Sequence, residues 1–339
     1  MSFLCVGDIH FKKDNSIESD EFIEKLIFHV IQTKYDFIVL LGDILDTFEH
    51  THYQTYGRVC RLFKELNKIC KTFIIVGNHD RPNNNVFLTD EHFFNPFKKY
   101  KNITIVDKPV LYSFNEKTFM FVPYVAPGRF DEALSEYDIK KEKLTCIFAH
   151  QEFKGCKIGM LKSEIGDVWP TDNVPIISGH IHEFHIPQSN IFYVPTPFQH
   201  GFGDVTEKFL ANFLLSSKLN STHYTKDLYY IKIKLDITKK RILNMNLDKF
   251  KDFIKQDIDK SFITKIILEG IGSTIREYFK QNPIVNKNIK IQIKDISERK
   301  KTILDNKFKD KDYNLRKRIR KVLKEETDEL KEEYKRLYI

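Results

Sequence analysis

The chain opens with short apolar blocks separated by longer amphipathic stretches. Phe3–Val6, Phe37–Leu41 and Thr72–Val76 each stop at a glycine, at positions 7, 42 and 77. They are too short and too rich in Ile, Val and Phe for helices, so they predict buried strands. Between the first two, Phe22, Leu26, Ile27, Val30 and Ile31 share one face of a helix expected from about Asp20 to Thr33, with Ser19 as its cap. A second helix is expected from Tyr53 to Cys70. This β-α-β-α-β rhythm predicts right-handed crossovers and an α/β fold, with helices on the faces of a mostly parallel sheet.

The pattern then shortens. Pro82 to Asn85 reads as a turn, followed by a helical segment toward Lys99, and Ile103–Val106, Val110–Phe114 and Phe119–Val122 as strands of a second sheet. Cys146–Ala149 ends at His150, Pro175–Ser178 ends at Gly179-His180-Ile181-His182, and Ile191–Val194 runs into Pro195-Thr196-Pro197. Leu210–Leu215 and Leu228–Leu235 read as strands closing this first domain, residues 1–240. Residues 241–298 read as a small α+β unit, with helices near 247–257 and 261–280 and a strand at Ile289–Ile293. In 299–339, Leu315, Ile319, Val322, Leu323, Leu330, Tyr334 and Leu337 recur at helical spacing among Lys, Arg and Glu, which predicts a helical tail.

A chain of 339 residues with 41% hydrophobic and 13% aromatic content has ample material for a core, and its longest apolar runs are strand-sized. No basic stretch followed by an apolar segment opens the sequence, so no membrane association and an intracellular location are expected: the cytoplasm of a bacterium or phage-infected cell, or a nucleus or viral factory. The five cysteines form no CxxC pair and read as reduced thiols. The net charge of +8 is unevenly spread. Residues 1–210 carry 23 Lys and Arg against 28 Asp and Glu, and residues 211–339 carry 32 against 19. An acidic half that gathers carboxylates and imidazoles suits metal ions, and a basic half suits a polyanion.

The strand ends supply that chemistry: Asp8 and His10, Asp43, Asn78, His150, and His180 with His182. Two carboxylates, an amide oxygen and four imidazoles exceed what one tetrahedral zinc takes and suit a pair of ions sharing a bridge, for which Asp43 is the natural candidate. Mixed oxygen and nitrogen ligands without thiolate favour manganese, iron or zinc over calcium. His29, His52, His92, His185, His200 and His223 read as surface or core histidines.

Gly7-Asp8-Ile9-His10, Gly42-Asp43-Ile44-Leu45-Asp46, Gly77-Asn78-His79-Asp80, His150 and Gly179-His180-Ile181-His182 together resemble the signature of the calcineurin-like metallophosphoesterases. Asn78-His79-Asp80-Arg81-Pro82, Ser178-Gly179-His180, Thr196-Pro197 and Phe202-Gly203-Asp204 are most similar to the SbcD branch, a nuclease that acts with an SbcC-type ATPase at DNA ends. The match spans roughly residues 4–205. It implies a four-layer sandwich, helices outside two central mixed sheets, with a small α+β capping domain and a C-terminal helical tail. It also implies one metal held by Asp8, His10, Asp43 and His182, and another held by Asp43, Asn78, His150 and His180. Two such ions, about 4 Å apart, lower the pKa of a bridging water and clamp a phosphodiester for in-line attack. His79 would protonate the leaving oxygen, and Asp46, at the GDxxD position, would keep its imidazole oriented and charged. Asp46 stands where archaeal and eukaryotic relatives carry His, so the likeness is to bacterial and phage members. Pro195 replaces the family's glycine before Ser/Thr-Pro and restricts that loop.

The leading expectation is therefore a manganese-dependent DNA exonuclease/endonuclease subunit, working in recombination and repair, with magnesium, iron or zinc as the alternative ions. Lys239, Lys240, Arg241, Lys300 and Lys301 would bind phosphates without sequence preference, the tail would dock on the coiled-coil ATPase, and a homodimer is implied by resemblance. A phosphodiesterase or phosphatase acting on small nucleotides is the first alternative. A non-catalytic DNA-end scaffold is the second.

Overall fold

The computed structural model describes residues 1–297 apart from 49, 138–142, 160, 216–221, 226–227 and 257. The expected tail, 299–339, and with it Lys300 and Lys301, lies outside the described residues. The chain divides into two compact units, Met1–Lys240 and Arg241–Ile339.

In the first unit the expected rhythm appears as β1 (Ser2–Val6), α1 (Ser16–Gln32), β2 (Phe37–Leu40), α2 (Tyr53–Ile69), β3 (Thr72–Ile75) and β4 (Ile103–Val106). There follow β5 (Val110–Phe114), β6 (Lys117–Val122), α3 (Phe130–Leu134), β7 (Cys146–His150), the small hairpin β8 (Lys157–Ile158) and β9 (Leu161–Lys162), and β10 (Ile176–Gly179). The unit ends with β11 (His185–Gln188), β12 (Ile191–Tyr193), β13 (Leu210–Leu215), β14 (Thr222–Thr225) and β15 (Leu228–Ile233). One sheet has the order β14-β15-β13-β1-β2-β3-β4, the other β11-β12-β10-β7-β6-β5. Strands β1 to β4 are mutually parallel, as are β6, β7, β10 and β12, and antiparallel strands close the edges.

Side-chain alternation along the strands builds the layers. Leu4 and Val6 pack with Phe22 and Leu26 of α1 and Val59 and Leu62 of α2. Phe3 and Cys5, on the opposite face, meet Phe119, Phe121, Phe148 and Phe192 of the second sheet. Met120, Val122, Ile147 and Ala149 turn outward under Phe130, Leu134 and Trp169. Phe73 of β3 stacks on Phe121 of β6 across the sheets at 3.9 Å, and Phe121 in turn stacks on Phe148 within the second sheet at 4.8 Å between centroids.

Several local expectations are corrected. α1 starts at Ser16, so Ser19 is a buried helical residue whose hydroxyl donates to Asn15 Oδ1 at 2.8 Å. The segment toward Lys99 is one 3-10 turn, Asn95–Lys99, opened by Pro96. Ile103–Val106 belongs to the first sheet, parallel to β3.

Around and after the unit boundary lie β16 (Lys239–Met245), α4 (Leu247–Phe253), β17 (Phe262–Gly270), α5 (Gly272–Gln281) and β18 (Ile289–Asp295). The helix expected over 261–280 is therefore a strand followed by a helix. Phe262, Ile263, Ile266 and Ile267 satisfy helical spacing as well as a strand does, and the β-branched content up to Gly270 decides for the strand. The helix expected to reach 257 ends at Phe253. Strands β17 and β18 run parallel around α5, and Phe250, Ile266, Leu268 and Ile275 form the core. Among the described residues no helix is long and apolar enough to cross a membrane.

Candidate metal centre

Parallel strands of both sheets release their loops at their carboxyl ends, and these loops meet. Asp8 and His10 follow β1, Asp43 follows β2, and Asn78 and His79 follow β3. His150 ends β7, and His180 and His182 follow β10. The approach is close enough to require glycine. A Cβ on Gly42, whose φ is +101°, would stand 2.4 Å from His150 Nδ1, and one on Gly179 would stand 2.5 Å from Asp8 Oδ1. His10, Asp43 and His180 themselves have φ of +46° to +82°, three of the five non-glycine residues with positive φ among those described. Each such conformation costs about 1–3 kcal/mol and persists only where surrounding contacts enforce it.

The seven expected ligands converge. Asp43 Oδ1 accepts the His79 backbone N–H at 2.8 Å. Its Oδ2 lies 3.5 Å from His10 Nε2 and 3.4 Å from His150 Nε2. On one side His10 Nε2 is 3.0 Å from His182 Nε2, which is 3.7 Å from Asp8 Oδ2. On the other, Asn78 Oδ1 is 2.9 Å from His150 Nε2 and 3.0 Å from His180 Nδ1. The groups Asp8–His10–His182, His10–Asp43–His79 and Asp43–His150–His180 each bring ligand atoms within 4.8 Å of one another.

The donor set fits cations. His150 Nδ1 donates to the Leu41 carbonyl at 2.7 Å, which fixes the ring with Nε2 toward Asn78 and Asp43. Both Asp8 and Asp43 are buried beside these nitrogens. Burial opposes a charge on His150, yet the carboxylates of Asp43 and Asp8 lift it to about 9. A proton there supplies the positive charge that two buried carboxylates demand. Burial alone would raise Asp43, but the charge and hydrogen bond of His150 and the charges of His10 and His79 hold it well below the usual carboxylate range. Asp8 is raised, by burial first and by Asp43, against His150 and His182. His10 falls to about 3 through burial and the imidazoles around it, with Asp43 opposing.

His79 sits beside this cage with its ring stacked on Phe48, centroids 4.7 Å apart at 20°. The expected role of Asp46 is corrected: His79 Nδ1 donates at 2.9 Å to the main-chain carbonyl of Asp46, not to its carboxylate. That carboxylate pairs with Lys12 at 3.1 Å and lies 3.4 Å from His10 Nδ1. Lys240, expected to meet phosphates, is buried in an ion pair with Glu18 and donates to the Gln199 carbonyl. Lys239 is exposed, whereas Arg241 donates to Thr264 and covers the Phe262 ring.

Several residues at the site carry no ligand signal in the sequence. Asp80, 1% exposed, accepts N–H groups from Ile44, Leu45 and Gly77 at 3.2, 2.9 and 3.0 Å, stitching the loops that hold Asp43 and Asn78. His200 donates from Nε2 to the Asp8 carbonyl at 3.2 Å and packs against the rings of His10 and His182. Burial, with His10 and His182 nearby, holds it well below the ordinary histidine pKa. Tyr124 flanks His150 and His180, and Asn15 donates to the His10 carbonyl at 2.9 Å. Tyr124 and His200 follow β6 and β12, which are parallel to β7 and β10, so the strand-end rule applied to every strand would have reached them.

The sequence profile described as calcineurin-like phosphoesterase matches residues 1–184. A relative named "Putative phosphoesterase 244L", from Invertebrate iridescent virus 6, is 38% identical over 283 residues, covering 83% of this chain and 98% of its own. A second, 078R of Invertebrate iridescent virus 3, is 40% identical over 220 residues, covering 64% of this chain and 63% of its own. The phosphoesterase YfcE of E. coli aligns at 11% identity and a TM-score of 0.28 over 64% of this chain and 93% of its own.

Proposed function

We propose, taking as the premise that the chain belongs to the calcineurin-like phosphoesterase family, that this phosphoester hydrolase is a DNA nuclease of the SbcD type. The observation that carries the hydrolytic reading is the position of Asp43 Oδ2 between two groups of imidazole ligands drawn from both sheets. The step to DNA is supported by charge: residues 211–297 carry 17 Lys and Arg against 9 Asp and Glu.

In this reading Asp8, His10, Asp43 and His182 hold one divalent ion, and Asp43, Asn78, His150 and His180 the other. Manganese suits a set of oxygen and imidazole donors without thiolate. Bound there, such ions supply Lewis-acid polarisation of the phosphoryl group and a more acidic water. The chain's own residues orient and move protons. His79 Nδ1 is committed to the Asp46 carbonyl and its ring to Phe48, so Nε2 is the atom that delivers a proton to the leaving oxygen. Residues 241–298 are assigned to phosphate contacts and 299–339 to an SbcC-type ATPase, in a protein that pairs with a second copy.

The test is manganese-dependent cleavage of linear duplex DNA, abolished in His79→Ala with both ions still bound. Hydrolysis confined to small phosphodiesters would replace the DNA reading with that of a nucleotide phosphodiesterase, and DNA binding without cleavage would make the protein a scaffold. Co-purification with the ATPase, with and without residues 299–339, tests the tail.

A further inference from the structure

A cavity of about 450 Å³ opens beside His79, lined by Phe48, Pro82, Glu91, His92, Phe93 and Asn95 and by the Asp80-Arg81 segment. That volume is within the range of small-molecule sites. Most of its polar wall is already engaged. His92 donates from Nε2 to Asp107 at 3.1 Å and accepts the Phe94 N–H at Nδ1, leaving its ring as a surface without free polar atoms. The Arg81 guanidinium is buried, with its Nη groups committed to the carbonyls of Tyr124 and Phe87 at 2.6 and 3.0 Å and to that of Val86, and its Nε left without a partner among the described residues. Asp80 is engaged by three backbone N–H groups. What remains is two phenylalanine rings, with the exposed Glu91 carboxylate and Asn95 amide at the rim.

We propose that this cavity receives the nucleobase on the leaving side of the scissile phosphodiester, with Phe48 as its stacking face. The placement follows from Phe48 itself, which lines the cavity and stacks on His79. A ring that touches the proton donor and also lines the cavity puts any occupant beside the leaving oxygen. A flat group with polar edges suits two aromatic walls and a polar rim, whereas a phosphate would meet one lining cation, Arg81, whose terminal nitrogens are already committed to carbonyls. Stacking tolerates any base, which suits a site with few hydrogen-bonding groups. The inference rests on the phosphodiesterase reading of the same site and adds what occupies the neighbouring cavity.

The experiment steps a single abasic residue through a labelled oligonucleotide and maps the cleavage rate at every bond, using the manganese-loaded full chain. The expected result is a loss of about ten-fold in kcat/KM at the one bond whose leaving nucleoside lacks its base, within the range that base–aromatic stacking supplies. In Phe48→Leu that penalty disappears although all bonds are cut more slowly, and in Phe48→Trp it returns. Reading the ratio between bonds within one variant removes any general loss from disturbing His79. Equal rates at every register, or the same penalty in Phe48→Leu, would overturn the cavity assignment and leave the nuclease reading standing. No cleavage of the oligonucleotide alongside hydrolysis of bis(p-nitrophenyl) phosphate would overturn both.

Discussion

Replacing Asp80 by alanine isolates the part of the site that is scaffold rather than chemistry. Its carboxylate is 1% exposed and takes three backbone N–H groups, from Ile44, Leu45 and Gly77. Each buried donor left without an acceptor costs about 1–3 kcal/mol. The carboxylate's own desolvation offsets part of the loss, and the loops can open to water, so the expected net destabilisation is about 3–5 kcal/mol. Asp80→Asn keeps one acceptor oxygen but turns an amide N–H₂ toward donors, and about half the loss is expected. The assay is guanidinium unfolding of chelator-treated protein, read as a lower midpoint at unchanged slope. The same variants should bind manganese more weakly by calorimetry, because Ile44 and Gly77 are the chain neighbours of Asp43 and Asn78. Unfolding within 0.5 kcal/mol of the parent, with full metal affinity, would refute the claim that Asp80 holds the two loops together.

The remaining expectations concern ligands, base and core. Asp43→Asn should lower occupancy of both ions in elemental analysis, whereas His182→Ala should spare the Asn78–His150–His180 side; equal losses in the two would contradict a shared Asp43. His79→Ala should reduce turnover about 10²–10⁴-fold at unchanged metal content, while Asp46→Ala should reduce it far less, since the carbonyl that holds His79 survives. Removing metal should lower the melting temperature in a concentration-dependent way, because the ions bind only the folded cage; identical melting with and without manganese would count against the site. Lys240→Met should cost about 3–5 kcal/mol by leaving Glu18 buried and unpaired, with DNA affinity unchanged; weaker DNA binding at parental stability would restore Lys240 to the phosphate-contact set.

Much of this was open to reading from residue order because the informative features are local. Strands ending in glycine announce an α/β sheet, and polar residues placed at those ends announce a ligand cage, since parallel strands deliver their carboxyl ends to one side. Local pattern failed where two periodicities coincide, as in Phe262–Gly270, and at caps, where Asn15 rather than Ser19 stands at the start of α1. It also failed for Asp46 and Lys240. Residue type places a charge but not its direction, and both side chains found nearer partners in Lys12 and Glu18.

What order along the chain determined, then, was the strand count near the site, the identity of the seven side chains that converge there, and the division between an acidic and a basic half. Folding alone decided that Asp43 stands between two ligand groups, that Asp80 and His200 brace them, and that Phe48 links His79 to a cavity. Apart from the local Gly77–Asp80 hydrogen bond, those facts depend on contacts between residues 31 to 192 positions apart. Such contacts follow from how two sheets pack through their aromatic faces, and no window of sequence contains both partners.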